Sequence, residues 1–121
     1  MKRDMNLIKY LLMQIEESEA GHGYRPLAES MPEDIRPTQW ELLLHCRLIA
    51  ERGLAVGTEI DTRWIFTRLT WDGHDFLDNA RNDSVWKAAM DAAGHFSFGV
   101  FTATLAEAAK AAALKALEKV F

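Results

Sequence analysis

Residues Leu54 to Ala80 read LAVGTEIDTRWIFTRLTWDGHDFLDNA, and the fold turns on how this run divides. Its first half is rich in β-branched and aromatic residues (AVGTEI, TRWIFTRL) on either side of a polar turn at Glu59 to Thr62, which predicts a two-stranded hairpin from Leu54 to Leu69. Strand alternation places Ile65, Thr67 and Leu69 on one face and Trp64, Phe66 and Arg68 on the other, the latter read as the outer face. The period then changes. Gly73, Phe76, Leu77 and Ala80 fall at i, i+3, i+4 and i+7, the stripe of an amphipathic helix whose Asp75, Asp78 and Asn79 face water. Thr70 or Asp72 is the expected cap, and Gly73 the point where helix and hairpin backbones approach closely. A strand end, a cap and a buried stripe account for RLTWDGHDFLDNA without a ligand.

Upstream, Leu7, Ile8, Leu11, Leu12 and Ile15 predict an amphipathic helix of about four turns with Asp4 as N-cap. EAGHGYRPLAESMPED then has the punctuation of a loop, in which Tyr24 to Leu27 form at most a short edge strand. TQWE, Thr38 to Glu41, has the form of a capping box and starts a second helix that runs to about Arg52 and stops at Gly53. Downstream, NDSVWKAAMDAAG predicts a helix capped at Asp83 with Val85, Trp86, Ala89 and Met90 inward. An irregular aromatic link, HFSFGVF, should lead to a long C-terminal helix with a narrow stripe of Leu105, Ala109, Ala112, Ala116 and Val120.

Helix, short strand, helix, hairpin, helix is the order of a winged-helix domain. The expected fold is therefore mainly α (α+β): a winged-helix domain with a two-stranded wing over residues 1–82, and a C-terminal helical extension over 83–121 that packs on it or mediates self-association. The segments MKRDMNLIKYLLMQIEE, HCRLIAERGL and RLTWDGHDFLDNARNDSVWKAA resemble the domain-of-unknown-function family 2513, over roughly residues 1 to 90. The resemblance implies a winged helix and a setting in bacteria, prophages and phages; it implies no activity, ligand or catalytic residue. GHGYRPLAESMPEDIRP and the Ala-rich tail fit the family pattern poorly.

Composition narrows the function classes. At 121 residues, 49% hydrophobic and 26% charged, the chain is a single soluble domain in size and make-up. The single cysteine, Cys46, excludes an internal disulfide and suits the reducing cytoplasm of a bacterial cell. MKRDMNLIKYLLMQIEE is too interrupted by charge to serve as a signal peptide, and no stretch is long and apolar enough to cross a membrane.

Chemistry finds little support. His22, His45, His74 and His95 are scattered; His74 and Asp78, at i, i+4, supply two ligands where a stable metal site needs three or four. Cys46 follows His45 directly, but neighbours on a helix point about 100° apart, which denies the thiol its base. Glu16, Glu17 and Glu19 read as a solvated face. The chain is accordingly expected to be non-enzymatic, with no cofactor, metal or small-molecule substrate.

Two binding functions remain. The helix from Thr38 to Arg52 carries a core stripe of Leu42, Leu43, Cys46, Ile49 and Ala50, and a second apolar stripe of Trp40, Leu44 and Leu48, which Trp64 and Phe66 on the hairpin extend. Aromatic anchors within an apolar patch mark protein interfaces. The leading expectation is recognition of a protein partner, by self-association as a homodimer or by capture of a host protein, including interference with host defence. The alternative is a small winged-helix DNA-binding regulator using Gln39, Arg47, Arg52, Arg63 and Arg68. Against it, residues 36–69 hold five basic and four acidic side chains, too even a balance for strong counterion release.

Overall fold

The computed structural model describes residues 1–19 and 21–120. It is a mixed α+β chain in which the described residues form five α-helices and one two-stranded antiparallel sheet. The backbone divides into two compact units, Met1–His74 and Asp75–Phe121.

In the first unit, α1 spans Met5–Ser18. The Asp4 carboxylate caps it, accepting from the amides of Asn6 (3.0 Å) and Leu7 (3.2 Å). Its expected stripe is buried, Leu11, Leu12 and Ile15 completely. Two short 3-10 turns, Ala28–Ser30 and Glu33–Ile35, occupy the segment read as a plain loop. Helix α2, Gln39–Glu51, opens on the predicted capping box: Thr38 Oγ1 accepts from the Glu41 amide, and Glu41 Oε1 accepts from the Thr38 amide, both at 3.1 Å. It ends where Gly53 takes φ +74°.

Strands β1 (Ala55–Ile60) and β2 (Arg63–Leu69) pair antiparallel, Ile60 opposite Arg63 and Glu59 opposite Trp64, with a bulge between Val56 and Gly57. The turn is tighter than expected, only Asp61 and Thr62, both in the left-handed region (φ 51° and 65°), the type I′ geometry that matches strand twist. The expected short edge strand survives as a single bridge, Tyr24 with Phe66, through two main-chain hydrogen bonds of 2.8 Å.

The orientation of the hairpin reverses the sequence expectation. Phe66 is fully buried and Trp64 half-buried, while Ile65 lies exposed. Trp64 stacks on Phe66, ring centroids 5.3 Å apart and 17° from parallel. The Trp64/Phe66 face is thus the inner one, turned toward α1 and α2, so Phe66 is a core residue and not a surface anchor. Alternation gives two faces but not which is inward when both carry apolar groups.

Helix α3 (Trp71–Ala80) follows at once. Thr70 caps it, its Oγ1 accepting from the Gly73 amide at 3.1 Å. Gly73 is required by space: a Cβ there would fall on the carbonyl oxygen of Leu54, the close approach predicted from sequence. Glu16 and Glu19 are not a plain solvated face. Their carboxylates lie 3.7 and 3.4 Å from the His74 ring, and Glu19 accepts from the Leu69 amide at 2.7 Å.

In the second unit, α4 (Asp83–Ala93) is capped by Asn82, one residue before the predicted Asp83, its side chain accepting from the Val85 amide. Helix α5 (Phe98–Glu118) begins inside the segment read as an irregular link, with Ser97 as cap. An aromatic cluster forms the core of this unit: Phe76 meets Trp86 edge-on at 6.1 Å and stacks on Phe98 at 5.9 Å, and Trp86 meets Phe101 edge-on at 5.3 Å. Along α5 burial stops early. Phe101 and Leu105 are buried, Ala109 and Ala112 half-buried, and Ala116 and Val120 exposed.

Candidate functional site

The first unit holds a groove of about 610 Å³ between the N-terminal half of α2, the segment Arg25 to Glu29 and the hairpin tip. Its floor comes from Leu42, Leu43 and Cys46, the core stripe of α2. Its walls bring together residues separately singled out in the sequence: Trp40 and Trp64 from the protein-binding set, Gln39 and Arg63 from the nucleic-acid set. Trp40, on the first turn of α2, is 62% exposed. Leu44 and Leu48 are half-buried and lie outside the groove lining.

Trp64 is held at this wall by a polar network. Its Nε1 donates to Glu59 Oε1 at 3.1 Å, and the same carboxylate receives Arg47 bidentately, Nε to Oε1 at 2.7 Å and the terminal nitrogen to Oε2 at 3.0 Å. Arg47 holds the Glu59 carboxyl below the usual carboxylate range. One ion pair therefore fastens α2 to β1 and consumes Arg47, the only cation of the proposed DNA-reading set that lies in the middle of α2. Of the others, Gln39, Arg52, Arg63 and Arg68 are exposed, and Arg68 donates to the Leu69 carbonyl at 3.3 Å.

The groove rim is electrically mixed. Arg25 and Arg63 stand beside Glu29 and Asp61, so two positive and two negative groups share one opening.

Cys46 at the floor is buried, and burial, then the nearby Glu59, pushes its thiol up to about 12. His45 is 1% exposed, and both ring nitrogens are engaged: Nε2 accepts from the Asp4 amide at 2.9 Å, and Nδ1 lies 2.7 Å from the Glu41 carbonyl, to which it donates. His45 is therefore a structural tie between the start of α1 and the first turn of α2. Sequence reasoning missed this although the signal was present, since His45 follows Leu42 by three and precedes Ile49 by four, on the core arc. Asp78, paired in sequence with His74 as a weak metal ligand set, instead contacts Arg81 at 3.3 Å. Among the described residues no group of three or more His, Cys, Asp or Glu is placed to hold a metal, and no helix is long and apolar enough to cross a membrane.

Residues 2–98 match the family model described as "Hypothetical protein (DUF2513)". The chain belongs to this family. The match spans α1 to the start of α5 and so extends beyond residue 90, the limit suggested by sequence resemblance. A relative in Haemophilus influenzae (strain ATCC 51907 / DSM 11121 / KW20 / Rd), described as an uncharacterized protein, is 29% identical over 93 residues, covering 73% of this chain and 75% of its own. No solved structure matches.

Proposed function

We propose that this member of the family is a non-enzymatic binding module of winged-helix topology, of phage or prophage type, that recognises polypeptide through the groove at the N-terminal half of α2. In this assignment α2 is the recognition helix, β1 and β2 the wing, and the Tyr24 bridge the remnant of the third strand of a winged-helix sheet. The C-terminal helices form the extension. The observation that carries the functional reading is Trp40: a large aromatic side chain 62% exposed at the mouth of a concavity with an apolar floor. Such anchors dominate protein interfaces.

A duplex-binding role is less well served. Arg47 is occupied by Glu59, and Glu29 and Asp61 offset Arg25 and Arg63 at the rim, so few phosphates would be neutralised and few counterions released.

The discriminating experiment compares the two directly. Capture of a protein partner from bacterial lysate should persist as salt is raised and fail with Trp40→Ala. A gel shift with short duplexes that vanishes steeply with salt and depends on Arg63, in place of protein capture, would overturn the proposal.

A further inference from the structure

The main chain of the groove wall narrows the partner further, on the strength of the polypeptide reading just given. In a two-residue hairpin the flanking residues, here Ile60 and Arg63, exchange both main-chain hydrogen bonds, and pairs alternate thereafter. Thr58 and Ile65 are then bonded, and Glu59 and Trp64 are not. The amide and carbonyl of Trp64 therefore point away from β1, in the direction in which those of Phe66 point to reach Tyr24. The antiparallel register Tyr24 with Phe66 would set residue 26 opposite Trp64. That residue is Pro26, which has no amide to donate. The pairing with β2 is recorded only at Tyr24, and Pro26 and Leu27 go on to line the groove. Among the described residues no hydrogen bond joins the amide or carbonyl of Trp64 to another residue, and Trp64 and Pro26 both line the groove.

We propose that the groove accepts an extended segment of polypeptide, which adds to β2 as a short strand by exchanging two main-chain hydrogen bonds with Trp64 in the place that Pro26 leaves open. Strand addition of this kind takes affinity from main-chain bonds and specificity from alternate side chains. The residue opposite Trp64 shares its face of the sheet, the one turned toward α2, so its side chain enters the apolar floor beside Trp40. An aliphatic or aromatic residue fits there; proline does not, because its amide must bond the Trp64 carbonyl. The balanced rim of Arg25, Arg63, Glu29 and Asp61 suits the residues on either side of it, polar and of low net charge, and gives a phosphate chain no net attraction.

The test uses the full-length protein and a random dodecapeptide library displayed on phage, with the enriched sequences then made as synthetic peptides. Enriched peptides should share a central apolar position that excludes proline, and should bind about tenfold or more weakly to Trp40→Ala. N-methylation along the peptide should weaken binding about tenfold or more at that one position, and leave its two neighbours tolerant, since their amides face away. In amide exchange followed by NMR, Trp64 should exchange far faster than Phe66 in the free protein and become protected on adding peptide. Peptides that need Trp40 but ignore N-methylation leave polypeptide recognition standing and overturn strand addition. A Trp64 amide as protected as Phe66 in the free protein also overturns it, as does a library that enriches no sequence. Salt-sensitive duplex binding in place of peptide binding overturns the reading beneath it.

Discussion

Arg47 and Glu59 form a bidentate ion pair that bridges the middle of α2 and the end of β1, and the same carboxylate accepts the indole N–H of Trp64. The pair is partly exposed, so its net contribution to stability is modest. Its structural effect is larger: it fixes the hairpin against α2 and holds Trp64 at one wall of the groove.

This pair gives a pH prediction with a definite sign. Because the Glu59 carboxyl is held below its ordinary value, its contribution is fully present above the unfolded carboxylate pKa and is lost as pH falls through the lowered one. Glu59→Gln should melt below the wild type at neutral pH. The gap between the two melting temperatures should close as the solution is acidified past the normal carboxylate range. Melting curves of both proteins across that range measure it, and a gap that widens in acid would refute it.

Gly73→Ala should be severely destabilising. The added methyl group meets the Leu54 carbonyl oxygen, which is main chain and cannot move without disturbing the junction of α2, hairpin and α3. A loss of about 3 kcal/mol is expected, at the upper end of what overpacking that forces a backbone shift usually costs. Urea denaturation reads it directly; Gly99→Ala, where an added Cβ meets nothing closer than 4.0 Å, serves as the control.

At the hairpin tip the expected sign is opposite. Asp61 and Thr62 both hold positive φ, a region costly for any β-branched residue. The double substitution Asp61→Asn with Thr62→Gly installs the Asn-Gly pair that type I′ turns favour, and should stabilise the protein by about 1 kcal/mol. Equilibrium denaturation is the measurement, and a loss of stability would show that the two native side chains contribute more than their backbone strain removes.

The Cys46 thiol should be unreactive in the native state. Burial raises it to about 12, which leaves almost no thiolate at neutral pH. Alkylation by iodoacetamide should therefore track unfolding across a urea titration. Rapid labelling of the native protein would mean that the groove floor is open to reagents.

Much of this architecture can be read from the chain because its local signals agree with one another. The Asp4 and Thr38 caps, the Gly53 stop and the Gly73 contact each rest on a single short-range rule, and each is present in the structure. What cannot be read depends on tertiary choice. The second strand carries apolar groups on both faces, so nothing local says that Phe66 enters the core while Ile65 meets solvent. HFSFGVF reads as irregular because Gly99 weakens a helical pattern, yet Phe98 and Phe101 are placed by packing with Phe76 and Trp86. The groove itself is invisible in the sequence, for it arises where Pro26 turns away from β2, a relation between residues nearly forty positions apart.

The bond from the Leu69 amide to Glu19, and the Tyr24 bridge to Phe66, tie the end of the first helix to a strand more than forty residues later. On the ribosome this ordering has a cost. The apolar stripe of α1 is made first but packs on β2, so part of it has nothing to cover it until the hairpin has cleared the exit tunnel. A nascent chain arrested before Leu69 should therefore remain a chaperone client, and one extended well past it should be released.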